Sequence, residues 1–330
     1  MEHVRWLAKP KLRRPMLIAA FTGWNDAGDA ASNSVRHLVE AWHAQPLAEI
    51  DPEEFTDFAT VRPHVRLTPE QKRTIVWPTV GLWSASTPGG DVILALGPEP
   101  ALRWRLFTDQ LVGIAQRFEV SMVLTLGALL ADVPHTRPVQ LIGTATENDI
   151  IERFDLQRSR YEGPTGIVGV LHDSCSRADL ASASLWAAVP AYASQVPSPK
   201  ASLALVERAC EMLGTPGPTA QLQGEAKEYD ARVSTFVADD GDLMGYVARL
   251  ESLADSGQLV DDDYFSDADD DDDSDDDSVG GELAEDGSEN GSENGSENGS
   301  ENGSEVVAVE VNSEELMAEV ERFLRDQGTS

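Results

Sequence analysis

The chain has 330 residues and carries 58 acidic against 25 basic side chains, a formal net charge of −33. Residues 261–305 hold 20 acidic and no basic residues and 306–330 add a further −4, which leaves −9 on residues 1–260. That balance excludes a general affinity for nucleic-acid phosphates or for an anionic membrane surface, both of which need clustered Lys and Arg. The chain also lacks an apolar run of the roughly 18 residues that a membrane helix requires.

Met16 to Phe21 is a short apolar run of the kind found in a strand buried on both faces. It is too short for a signal-peptide core, so a soluble, cytoplasmic protein is expected. A glycine-containing turn, Thr22 to Gly28, follows, and then Ala31, Val35, Leu38, Val39 and Trp42 recur at helical spacing. Asp29 is placed to serve the start of that helix as a cap or through its dipole. Leu47 to Ile50 reads as the next strand, and the sequence strand, turn, helix, strand predicts the opening of a parallel α/β sheet.

Arg73 to Trp77 reads as a further strand, and Val61 to His64 as a structured loop or edge. Asp91 to Leu96 is a second buried strand, followed by a helix that carries Phe107, Leu111, Ile114 and Phe118 on one face. Val120 to Leu126, ending at Gly127, is a third. Strands near Val139–Gly143 and Ser184–Val189 complete a sheet of about six or seven members. From Pro199 the chain turns helical, with Ala201, Leu205, Ala209 and Met212 on one face, and two more helices follow over about 219–236 and 239–255. The two cysteines, Cys175 and Cys210, belong to no C-x-x-C pair, so both are expected to be buried, reduced thiols.

The C-terminal part is a different kind of polymer. Residues 261–277 are nearly continuous aspartate, and Ser-Glu-Asn-Gly occurs four times in 288–303. Charge repulsion and scarce apolar groups predict a disordered linker over 259–305. Residues 306–330 read as a short amphipathic helix with Ser313 as cap and Leu316, Val320, Phe323 and Leu324 as its stripe. The expected division is therefore 1–258 as an α/β body with C-terminal helices, 259–305 as linker, and 306–330 as a tethered helix.

Three strand ends collect polar side chains. Trp24, Asn25 and Asp26 follow the first, Glu99 and Arg103 the second, and His135 and Arg137 the third. Carboxyl ends of parallel strands are where α/β proteins gather ligand-binding groups, so these residues are candidates for a ligand or partner site. A polar subunit contact satisfies the same pattern. In a catalytic alternative His135 or Glu99 transfers protons with Asp26 nearby and Arg137 holds an anionic group. No metal-ligand spacing, P-loop or dinucleotide fingerprint occurs, so no cofactor or metal is expected. Gly163 to Gly166 could cradle an anion through its amides. His172-Asp173-Ser174 has the letters of a triad, but consecutive residues point different ways, and helix surface is expected there.

The runs P-x-L-I-A-A-F-T-G-W-N-D-A-G at 15–28, Ile50-Asp-Pro-Glu-Glu-Phe55, Arg62-Pro63, Trp77-Pro78, Leu96-Gly-Pro-Glu-Pro100 with Arg103-Trp104, Leu126 to Pro138, and Tyr161 to Gly166 together resemble the actinobacterial branch of the proteasome assembly chaperone 2 family. The resemblance spans about residues 5–255. It implies a three-layer, mostly parallel α/β fold similar to the purine nucleoside phosphorylase group with a C-terminal helical subdomain, and homo-oligomers, trimers first among them. It also implies a non-catalytic protein-binding or assembly-chaperone role with proteasome α-subunits as partner. Family members can enter α-ring pockets with a hydrophobic-Tyr-any tail, whereas this chain ends Gln327-Gly-Thr-Ser330, which leaves face-to-face binding. A small-molecule enzyme of nucleoside phosphorylase or amide-ligase type, with its site at the strand ends, is the alternative.

Overall fold

The computed structural model describes residues 2–69 and 71–257. The expected linker and terminal helix fall outside the described residues. Strand β1 (Val4–Trp6) is short and lies at an edge. Strand β2 (Met16–Thr22) is buried along its length, because its alternate residues serve two cores. Met16, Ile18 and Ala20 face one, while Leu17, Ala19 and Phe21 face the other.

A single 3₁₀ turn, Ala27–Asp29, separates β2 from helix α1 (Ala30–Ala41). That inserted turn moves the cap. Asp29 stands in left-handed backbone (φ 51°) with no capping bond, and Asp26 instead accepts from the amides of Ala31 (2.8 Å) and Ser32 (3.0 Å). Ala30, Ala31, Val35 and Leu38 then lie against the first core.

Strand β3 (Gln45–Ile50) does not continue a parallel sheet as expected; it pairs antiparallel with β1 and with β6 (Val80–Thr87). Between them, β4 (His64–Leu67) and β5 (Arg73–Val76) form a separate two-stranded hairpin, where the sequence suggested a loop and one strand. Strand β7 (Gly90–Pro98) leads into α2 (Trp104–Arg117), and β8 (Met122–Ala131) follows. Gly127 does not end β8. A side chain there would stand 2.6 Å from the Trp186 indole, so the glycine makes room for the ring while the strand runs on.

The remaining elements are β9 (Leu141–Ala145), α3 (Asn148–Phe154), α4 (Ile167–Arg177), β10 (Ser182–Pro190), α5 (Pro199–Leu213), α6 (Ala220–Ala238) and α7 (Gly241–Asp255). Helix α5 opens with Ser198 as cap and Pro199 in its first turn, and closes on Gly214 at φ 74°. Among the described residues the main sheet has eight strands in the order β1-β3-β6-β7-β2-β8-β10-β9. Its centre, β7-β2-β8-β10, is parallel, and its flanks are antiparallel.

Helices α1 and α5 cover one face and α2 and α4 the other, which gives three layers. Helix α6 packs on α5 and α7 on α6, forming the expected helical subdomain. Both cysteines are buried, one in each core, and burial pushes the thiols of Cys175 and Cys210 up to about 12 and about 11.

Candidate cleft at the strand ends

Four parallel strands end at one edge of the sheet. The loop leaving β2 goes to α1 on one face, whereas the loop leaving β7 goes to α2 on the other. Neighbouring strand ends whose loops part in this way open a crevice. Asn25 and Glu99 close its floor. Asn25 is 1 % exposed and donates from Nδ2 to Glu99 Oε1 at 2.8 Å. The same oxygen accepts from the amide of Ile167, also at 2.8 Å, so Glu99 clips the start of α4 to the ends of β2 and β7. A carboxylate there also complements the positive end of the α4 dipole. Gly166 is required at this junction, because any side chain would collide with the Asn25 amide.

Asp26 is 6 % exposed and is tied into β8 by a bridge to Ala128. Burial raises the pKa of its carboxyl group, and its bonds to Ser32 and Ala31 pull it partly back. Only one oxygen takes the α1 amides; Oδ2 of Asp26 and Oδ1 of Asn25 are buried with no hydrogen-bond partner among the described residues. Trp24 is 67 % exposed at the mouth.

Beyond this floor the crevice widens into a cleft of about 970 Å³. Residues 23–29 form one wall and 157–161 with the first turns of α4 the other, while β8, β9 and β10 form the base. His172 lines it and is not the surface residue expected from the sequence. Its Nε2 lies 2.9 Å from Thr125 Oγ1 and its Nδ1 3.0 Å from Ser182 Oγ, and burial pulls its pKa down to about 4. The imidazole is therefore neutral at physiological pH.

The structure does not bring the other candidates here. Arg103 pairs with Glu54 at 2.6 Å at the start of α2. His135 and Arg137 lie in the loop after β8, which reaches away from the cleft to the helical subdomain. The amide of His135 donates to Tyr192 Oη at 2.6 Å, and the same hydroxyl is 2.8 Å from Nδ1. Nε2 lies 2.9 Å from Ser234 Oγ, so both ring nitrogens of His135 are engaged. Burial is the main cause of the lowered pKa of His135. Lys200 donates to the His135 carbonyl and pairs with Asp230 at 3.2 Å. Arg137 forks onto Asp255 at 2.7 and 2.8 Å and reaches Glu251 on α7.

These bonds staple the loop to α5, α6 and α7. The partners Tyr192, Lys200, Ser234, Asp230, Glu251 and Asp255 carry no signal in the sequence, because each is polar in a helix or turn that also explains it as solvent-facing. Arg160 at the cleft is equally silent, and His172 shows only as one letter of a triad that consecutive positions cannot build.

The family model described as the PAC2 family matches residues 20–237. A PAC2 family protein from Streptomyces avermitilis is 42% identical, with a TM-score of 0.66, over 71% of this chain and 99% of that one. A proteasome-assembly chaperone homologue from Mycobacterium tuberculosis is also 42% identical, with a TM-score of 0.64, over 70% of this chain and 99% of that one. An archaeal proteasome activator from Pyrococcus furiosus shares the fold at 15% identity, with a TM-score of 0.58, over 71% and 97% of the two chains. No curated protein matches.

Proposed function

The chain belongs to the PAC2 family, and from that premise we propose that it is a non-catalytic, homo-oligomeric protein-binding chaperone whose partner is the proteasome α-subunit. The observation that carries the reading is the β4–β5 hairpin. All eight of its strand residues are exposed. Pairing of Val65 with Ile75 puts Val65, Leu67 and Ile75 on one face, at 60 %, 61 % and 53 % exposure, with Trp77 beyond them at 44 %.

A two-stranded hairpin is marginal in water by itself, and a row of exposed aliphatic side chains gains by being covered. A protein surface is the natural cover. The candidate residues Trp24, Asn25, Asp26, Glu99 and Arg103 belong to the edge of the main sheet, and Trp24 offers the kind of exposed aromatic anchor that interfaces favour. His135 and Arg137 act in this reading as positioning residues for the helical subdomain.

The catalytic alternative needs His135 and Arg137 beside Asn25, Asp26 and Glu99, and their engagement with α6 and α7 weighs against it. Affinity capture of the full chain from a native lysate, beside a strain lacking the proteasome, tests the proposal. Stoichiometric α-subunit in the first capture is the expected result; its absence, with the bait intact and folded, overturns the partner assignment.

A further inference from the structure

The charged side chains lining the cleft are segregated. Asp26 and Asp29 stand on the wall formed by the β2–α1 loop, and Arg158 and Arg160 on the facing wall. Arg158 is held by Asn148 at 2.8 Å, whereas Arg160 is exposed and has neither an ion pair nor a hydrogen bond among the described residues. The start of α4 lines the same space through Gly166, Val168 and Gly169. Only its first amide, Ile167, is taken by Glu99; those of Val168 and Gly169 are unpaired among the described residues. A helix start with free amides favours an anionic group, and an unpaired arginine beside it adds to that preference.

The acidic wall calls for the opposite charge. Asn25 and Asp26, 99 and 94 % buried, line the cleft, and Asn25 Oδ1 and Asp26 Oδ2 have no donor among the described residues. Buried acceptors without donors are costly, and a carboxylate among them most of all. The Asn25 amide abuts Gly166, so its unpaired oxygen stands beside the start of α4, while the Asp26 side chain turns toward α1.

We propose that the cleft binds a small zwitterion of the α-amino-acid class, its ammonium group donating to Asn25 and Asp26 and its carboxylate held by the first turn of α4 with Arg160. The wide base, with Thr144, Ser184 and Trp186, receives the substituent on the α-carbon. A volume near 970 Å³ exceeds what an amino acid fills, so substituents as large as a peptide-like or aromatic group enter. Trp24, Asn25 and Asp26 belong to both readings, but no described hairpin residue lines the cleft, so the hairpin contact and ligand binding are tested separately.

Isothermal titration calorimetry on the purified full chain tests it, with each proteinogenic L-α-amino acid as probe. For the tightest binder, the corresponding amine without the carboxylate and acid without the ammonium are titrated beside it. Both charges are required, so each analogue should bind at least about tenfold more weakly. Arg160→Gln, a change at an exposed side chain, should weaken binding by about tenfold and leave the melting temperature unchanged. Asp26→Asn should weaken it further; if that variant fails to fold, Arg160→Gln decides alone. Absence of binding by every amino acid overturns the proposal. So does equal binding of either analogue, or undiminished binding by Arg160→Gln.

Discussion

Replacing Glu99 by Ala removes the acceptor shared by Asn25 Nδ2 and the Ile167 amide, both at 2.8 Å. Each is a hydrogen bond to a carboxylate, and such bonds contribute about 1.5–3 kcal/mol. They share one oxygen, so the loss should be nearer about 3 kcal/mol than their sum. For a domain of this size that lowers the melting temperature by about 6–12 °C. Glu99→Gln separates the causes. A single amide oxygen can still accept from both donors, so only the charge-assisted part is lost, about 1–2 kcal/mol. Thermal unfolding followed by circular dichroism measures the global cost, and hydrogen exchange at the Ile167 amide should rise in Glu99→Ala and much less in Glu99→Gln. Equal melting temperatures for the two variants, or an Ile167 amide whose exchange is unchanged, would refute the claim that this oxygen clips α4 to the strand ends.

Three further outcomes follow from the same geometry. The folded-state pKa of His172 lies near 4, below the unfolded value of 6.5, so the unfolded chain binds the proton first as pH falls. Stability is therefore full above pH 6.5 and declines below it, by about 2 kcal/mol at pH 5 from this residue; denaturant melts of His172→Asn should show a flatter dependence over that range. Gly166→Ala forces a methyl group against the Asn25 amide and should cost about 1–3 kcal/mol in the same melts, although the backbone angle there suits any residue. Tyr192→Phe leaves the His135 amide without its acceptor and should cost about 1–3 kcal/mol, with faster hydrogen exchange confined to the loop after β8 and the helices it holds.

What could be read from the sequence divides by range. Strands β2, β7 and β10 and helices α1, α2 and α5 announce themselves through local periodicity, since their burial follows from residues a few positions apart. The hairpin strand His64–Leu67 alternates but is only four residues long, and β6 mixes Ser84 and Ser86 with apolar residues, so neither carries a strong pattern. Gly127 looks like a stop because its reason, the Trp186 ring, is 59 positions away in sequence. Asp29 looks like the cap because the inserted 3₁₀ turn is not written in any local spacing. The candidate site was legible in part for the same reason. Asn25 and Glu99 stand at ends of adjacent strands and do meet, with Asp26 beside Asn25 turned to α1, whereas the place of His135 depends on Tyr192 and Ser234, which only the packing of β10 and α6 brings to it.

The account rests on the exposed hairpin being a contact surface, and native mass measurement of the purified full chain tests that most directly. The wild-type protein should give at least twice the chain mass, and Val65→Asp combined with Ile75→Asp should give the single-chain mass. Both changes fall on exposed side chains, so folding stability should stay within about 0.5 kcal/mol per site. A wild-type chain that is monomeric and gains no mass when proteasome α-subunits are added, or an assembly that survives both aspartates, would contradict it.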